Sequence, residues 1–406
     1  MAAITPHLER QDDPAETAAE DTYFSRVRLD SSKGLSGLGK AEGDVLIRGS
    51  LSSEVLNDSH AGLERVAYTR IPLLESLRDV PYEVLLRTKQ GRPDLYIRTE
   101  APSGLDPRWN APGTGSLQNT SLLSWTSKMG APSFSLPAGS PIMAGTCPGA
   151  DAGQSIVPDD KLVSASRLVT KITGRPVVLP DAICQHCYAE GGNYAYGNIQ
   201  WHQLIRAIWT RQAVKDGSFV DLMTYAVDTT DFLLDGGNFP GKGAAGAYEP
   251  ERHEGRFFRI HDSGDFYDRH YLRAWRQVAA NLPDVTFWAP SRIWATSWGV
   301  AAVNELNAGD TNLTIRPSIY HVNEPRPRHA DLGPGWSAWT VVYSPTQKPG
   351  GGPRFDGEAA PYNWDCQAYA VDDEAASCRN AIAPDGAVGC RACWVHPELA
   401  VNYTFH

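Results

Sequence analysis

Phe257-Phe258-Arg259-Ile260-His261-Asp262-Ser263-Gly264-Asp265-Phe266 is the stretch that decides the fold. Its first four residues read as a strand, which then breaks into polar and turn-forming residues. Behind it, Tyr271, Leu272, Trp275, Val278 and Ala279 recur at helical spacing and give a helix one apolar face. Further strand-like runs begin at Val285, Leu313 and Trp339, at near-equal intervals, and Trp298, Val300, Ala301, Val303 and Leu306 mark a helix between the middle two. Strand, helix, strand at this interval is the repeating unit of a parallel sheet. The expected class is α/β, with a partial or complete (β/α) barrel-like parallel sheet.

In such sheets the chemistry collects at the C-terminal ends of the strands. The first strand ends in His261 to Phe266, the second in Pro290-Ser291-Arg292, the third in Arg316-Pro317-Ser318 running on to His321, and the fourth in Tyr343-Ser344. His261 and Asp262 are the candidate catalytic pair. Ser263, Gly264, Asp265, Ser291, Arg292 and Arg316 are candidate ligand-binding residues. The blander role for Asp265 or Asp268 is to cap the following helix.

Upstream, residues 1–22 are polar and acidic and read as a mobile tail. Residues 23–124 read as an N-terminal accessory region, with short strands at Val45-Leu46-Ile47, Val84-Leu85-Leu86 and Leu95-Tyr96-Ile97 and a helix near Leu73 to Leu77. Residues 101–120 are a Pro, Gly, Ser and Asn-rich linker. The α/β core is expected over 125–362, and a Cys-rich segment over 363–406. Within the core, Lys128 to Gly139 is punctuated by Gly and Pro and reads as a packed loop. Residues 198–215 read as a helix on the spacing of Ile199, Trp201, Leu204, Ile205, Ile208 and Trp209.

The seven cysteines divide as three and four. Cys184-Gln185-His186-Cys187 places two thiols on one side of a loop, and Cys147 stands upstream in Cys147-Pro148-Gly149-Ala150. Three thiolates on a 4Fe–4S cluster leave one iron open for chemistry. Cys366, Cys378, Cys390 and Cys393 can fill a second, four-thiolate site, either another cluster or structural zinc. Cys184, Cys187, Cys390 and Cys393 can also make one zinc site between them. His186 is better suited to packing or to a hydrogen bond to sulfur than to ligation, and His406 is given no role.

An odd cysteine count argues against a complete disulfide framework. The N-terminal stretch has no basic and apolar signal pattern, and no window is long and apolar enough for a membrane span. A cytoplasmic protein is expected, where clustered thiols point to metal or redox chemistry. A net charge of −10 gives no global footprint for nucleic acid. Local basic stretches lie at Lys161 to Arg175 and at Arg316 to Arg328.

The Ser133-Phe134-Ser135-Leu136-Pro137-Ala138-Gly139 loop, Cys147-Pro148-Gly149-Ala150, Cys184-Gln185-His186-Cys187-Tyr188-Ala189, Phe258 to Phe266 and Cys390-Arg391-Ala392-Cys393-Trp394 together resemble the bacteriophage gene product 88 family, over about residues 125–406. That family in turn is similar to the radical S-adenosylmethionine (radical SAM) enzymes. Cys184 and Cys187 match the last two cysteines of the C-x3-C-x2-C signature. Pro180 stands where the first is expected, so Cys147 would have to take its place.

The resemblance implies a 4Fe–4S cluster that binds SAM, takes an electron from a reductant and generates a 5′-deoxyadenosyl radical. It also implies that Ser263-Gly264-Asp265 would hold the SAM amine, and Ser291, Arg292 or Arg316 its carboxylate. A phage setting, in an infected bacterial cell, suggests phage DNA as partner and the isomerisation of an amino-acid-modified thymine. The base would be flipped out and stacked on Tyr194, Tyr196, Trp288 or Trp294. The competing classes are a non-enzymatic iron–sulfur or zinc protein binding nucleic acid or a host factor, and a hydrolase using His261 and Asp262.

Overall fold

The computed structural model describes residues 44–50, 80–89, 92–100, 117–126, 129–139, 145–150, 197–230, 255–296, 298–306, 312–320, 339–343, 363–366 and 390–404, with single positions at 183, 187, 189, 194, 332, 333, 336, 337, 378, 381, 383, 384 and 386. The tail at 1–22, the helix near Leu73 to Leu77, the basic stretch from Lys161 to Arg175, and Cys184, His186, Tyr196, His321, Ser344 and His406 lie outside the described residues.

Strands β1 (Asp44–Ser50), β2 (Pro81–Lys89), β3 (Arg92–Glu100) and β4 (Leu117–Ser121) form an antiparallel sheet in sequence order. The period of two is visible across β2 and β3. Val84 faces Ile97 and Leu86 faces Leu95, all buried, while Glu83 faces Arg98 on the other side with 2.6 Å between charged atoms. That pair is partly solvated and contributes at most about 1 kcal/mol. The apolar pairs anchor the sheet, because their side chains join the main core.

The second sheet runs β5 (Ser124–Thr126), β6 (Ala131–Ser135), β7 (Arg256–Ser263), β8 (Val285–Ser291) and β9 (Leu313–Pro317). β5 is antiparallel to β6, and β6 to β9 are parallel. As described, this sheet is open, with β5 and β9 at its edges. The helices are α1 (Gly197–Asp216), α2 (Phe219–Thr229), α3 (Arg269–Asn281), α4 (Gly299–Leu306) and a single turn, α5 (Ala392–Val395). A third sheet places β12 (Ala400–Thr404) between β10 (Thr340–Tyr343) and β11 (Asn363–Asp365), all parallel.

Three expectations change. The linker expected over 101–120 gives way to strand β4 at Leu117, which pairs with β3. The stretch from Lys128 to Gly139 is not simply a loop: Ala131–Ser135 is a strand inside the sheet, with every residue buried. Pro132 is tolerated because pairing with β7 starts only at Ser133, so its missing N–H falls at the strand entry. The fourth repeat also leaves the sheet. β10 pairs with β12 and keeps only a single parallel bridge, Thr340 to Ser318, toward the end of β9.

Both faces of the parallel strands are covered, as an all-parallel arrangement requires. Phe258 and Phe287 point to the helices and meet Trp275 of α3. Phe257 and Trp288 point the other way and meet Trp394 of α5. Trp275 is fully buried and also touches Phe134 and Phe219 edge-on. Each such ring pair adds about 0.5–1.5 kcal/mol beyond burial. The buried stripe of α3 is Tyr271, Leu272, Trp275, Val278 and Ala279. Asp268 is its cap and accepts the Tyr271 amide at 2.8 Å, which leaves Asp265 free of that duty.

Candidate functional site

The end of β7 departs from regular strand geometry. Ile260 pairs with Phe134, but the next pairing joins Ser263 to Ser135, so His261 and Asp262 form a bulge. His261 sits at φ 63°, a left-handed conformation that is costly outside glycine. The bulge turns the imidazole inward. It packs edge-on against Phe266, and its Nε2 lies 2.8 Å from the Tyr271 hydroxyl. Nδ1 is buried with no hydrogen-bond partner among the described residues. Burial, then the Arg259 charge, push its pKa down to about 3, so the ring is neutral.

Asp262 is buried and accepts from Tyr194 Oη at 3.1 Å. Its pKa is raised by burial, against the opposing pull of Arg259 and Arg206. The Ser263 hydroxyl donates to Leu136 O at 2.7 Å. Gly264 has φ +87°, and a Cβ there would stand 2.5 Å from Thr146 Oγ1 and 2.7 Å from Leu136 Cβ. Only glycine lets the Cys147 loop lie this close to the strand end. Asp265 accepts from Ser291 Oγ at 2.7 Å, from the Arg292 amide at 2.8 Å and from the Phe266 amide at 2.8 Å. Burial outweighs these donors and pushes its pKa up to about 6.

These contacts gather the cysteine-bearing loops. The Thr146 hydroxyl donates to Pro137 O and the Cys147 amide to Gly139 O, each at 2.9 Å. Gly149 lies so close to Arg292 that a Cβ would stand 2.6 Å from Arg292 Cβ. Tyr320, just past β9, holds two loops at once. Its hydroxyl donates to the Gly149 and Ala150 carbonyls, while its own carbonyl accepts the Ile183 amide at 2.9 Å. Ile183 immediately precedes Cys184. Tyr194, on Asp262, follows Cys187 closely in the sequence. Cys147 and Cys187 are both partly buried.

The other four thiols, Cys366, Cys378, Cys390 and Cys393, are buried and line one cavity of about 10 Å³, walled by Trp364, Trp394 and Val401. Burial raises the Cys378 pKa to about 12, reinforced by the neighbouring Cys393. Among the described residues, no group of three or more His, Cys, Asp or Glu side chains is placed so that it could hold a metal ion without side-chain movement.

Arg316 has a different task from gripping a ligand carboxylate. Its guanidinium is fully buried and donates to the carbonyls of Ala392, Cys393, His396 and Leu399. Arg292 directs Nε to Ile319 O at 3.0 Å. Trp288 and Trp294 are 2% and 5% exposed, so neither offers a face to a flipped base. Tyr320, Thr146 and Arg391, which donates to Met129 O at 2.7 Å, were not singled out by the sequence. Tyr320 did carry a signal, since it follows directly on the third strand end.

Fold and site together define an α/β protein whose parallel strands end beside the segment that carries Cys147. The sequence model of the Gene product 88 family matches residues 106–396, more than half of the chain, and the chain belongs to this family of phage gene products. No curated protein and no solved structure matches it. Among the described residues, no helix is long and apolar enough to cross a membrane.

Proposed function

We propose that the strand ends of β6 to β9, read as part of a barrel-like sheet, carry a radical SAM-type 4Fe–4S centre held by Cys147, Cys184 and Cys187. The observation that carries this reading is the double tether at Tyr320, whose hydroxyl holds Gly149 and Ala150 after Cys147 and whose carbonyl holds the residue before Cys184. The two described thiols fit the group: both are only partly buried, and thiolate is the ligand such a centre takes. With SAM bound and an electron from a reductant, such a centre would supply reductive cleavage of the sulfonium C–S bond to methionine and a 5′-deoxyadenosyl radical able to take a hydrogen atom from substrate.

In this reading the chain's own residues are mostly positioning residues. Asp265 joins the ends of β7 and β8 through Ser291 and Arg292. Ser263 and Gly264 seat the Leu136 and Thr146 loops. Asp262 fixes Tyr194, and His261 is a neutral core group. The substrate we propose is an amino-acid-modified thymine in phage DNA, isomerised by hydrogen abstraction and rearrangement. Family membership supports the phage setting. Anaerobic reconstitution with iron and sulfide, then reduction with SAM present, should yield 5′-deoxyadenosine. Iron-free protein, or iron without that product, would contradict the proposal.

One observation favours a second reading, a non-enzymatic iron–sulfur or zinc protein that binds nucleic acid or a host factor. The side chains of Ser263, Asp265, Ser291, Arg292 and Arg316 all make contacts within the fold. The same assay separates the readings, because this one predicts metal with no cleavage of SAM.

A further inference from the structure

Four buried thiols in a small protein segment have a bland explanation, since free cysteine packs as a small hydrophobe. Three features go beyond it. First, thiols from three separate stretches line the same cavity: Cys366 at the end of β11, Cys378 in a turn, and Cys390 and Cys393 at the start of α5. Second, the backbone fixes these stretches to one another. The Cys390 amide donates to Cys378 O at 2.7 Å, and the Cys366 amide to Asn402 O at 2.8 Å. Third, donors already face the sulfurs: the Ala392 amide is directed at Cys390, and the Tyr403 hydroxyl lies 2.9 Å from Cys393 Sγ. Donors of this kind orient and stabilise thiolate ligands.

The number and kind of ligands point to the occupant. The cavity of about 10 Å³ has room for one water-sized particle. A single ion with thiolates at about 2.3 Å fits once the four side chains close on it. Four protein ligands leave no open position, which is the pattern of structural rather than catalytic zinc. The surroundings suit the charge left over, since Arg316 and Arg391 are buried beside α5 and donate to nearby carbonyls.

We propose that Cys366, Cys378, Cys390 and Cys393 hold one tetrahedral zinc ion, a structural staple that fixes β11, β12 and α5 against the β7–β8 face of the parallel sheet. The site is distinct from the three-cysteine centre and stands or falls separately from it. The test uses the full chain with Cys147, Cys184 and Cys187 all changed to Ser, so that any remaining metal belongs to the other four. Metal analysis should find zinc equimolar with protein. Exchange with cobalt should give the intense absorption of a tetrahedral thiolate site. Adding Cys378→Ser should lose the zinc, and if that chain fails to fold, the cobalt spectrum of the triple variant still decides. Iron and sulfide in the triple variant, no bound zinc, or a cobalt spectrum without thiolate character would each overturn the proposal.

Discussion

The carbonyl of Tyr320 accepts the amide of Ile183 at 2.9 Å, and the same residue's hydroxyl reaches the Gly149 and Ala150 carbonyls just after Cys147. One residue just beyond β9 therefore fastens two segments, one through its backbone and one through its side chain, each next to a candidate iron ligand. Tyr320→Phe removes the donor to Gly149 and Ala150 and leaves buried carbonyls short of a partner, at a cost of about 1–3 kcal/mol. Denaturant melts should move by that amount, and reconstituted iron should fall several-fold. Full iron loading in the variant would separate Tyr320 from the metal site.

Gly264 is where the Thr146 loop presses closest on the strand end. Gly264→Ala adds a Cβ at φ +87° and 2.5 Å from Thr146 Oγ1. The left-handed backbone alone costs about 1–2 kcal/mol, and the overlap adds to it. Urea midpoints should fall accordingly, and an unchanged midpoint would mean that the loop is not seated as described.

His261 in the bulge and Asp265 just beyond it give opposite pH dependence. Asp265, with its pKa raised to about 6, binds a proton in the folded state that the unfolded chain has already released, so its contribution falls as pH rises from about 4 to 6. Asp262 is shifted in the same direction. His261, with its pKa lowered to about 3, refuses a proton that the unfolded chain accepts, so its contribution rises with pH from about 3 to 6.5. Asp265→Asn should therefore make stability climb more steeply between pH 4 and 6. His261→Asn, which tolerates the left-handed backbone, should tilt the slope the other way. Stability measured across that range in both variants checks the signs, and identical slopes would refute the assignment.

Arg316 is buried and serves four carbonyls around α5. Arg316→Met strands those acceptors and should cost at least about 3 kcal/mol. Arg316→Lys keeps a donor and should recover part of the loss. Bound zinc should fall in the same order, from wild type to Lys to Met. Equal stability in all three proteins would show that the carbonyls find other partners.

The repeating unit was legible because its signal is local. The apolar spacing of Tyr271 to Ala279 names the buried face of α3 without error, and the strand starts near Phe257, Val285 and Leu313 fall at β7, β8 and β9. β6 was missed because a buried parallel strand with a proline at its entry has no alternation to read. β10 was misplaced because its partner, β12, lies at the far end of the sequence. Residue types at the strand ends were also legible, but their tasks were not. A sequence shows that Arg316 and Asp265 can bind a charged ligand. Only the fold shows that their hydrogen bonds go to Cys393, Ser291 and their neighbours.

The most direct test is whether Cys147 shares a centre with Cys184 and Cys187. Anaerobically reconstituted wild type, Cys147→Ser and Cys187→Ser should be compared for iron, sulfide and the electron paramagnetic resonance signal of the reduced protein. Loss of the same signal in both variants, with 5′-deoxyadenosine formation abolished and zinc content unchanged, is the predicted result. A Cys147→Ser protein that keeps the full iron complement and the wild-type signal would contradict it.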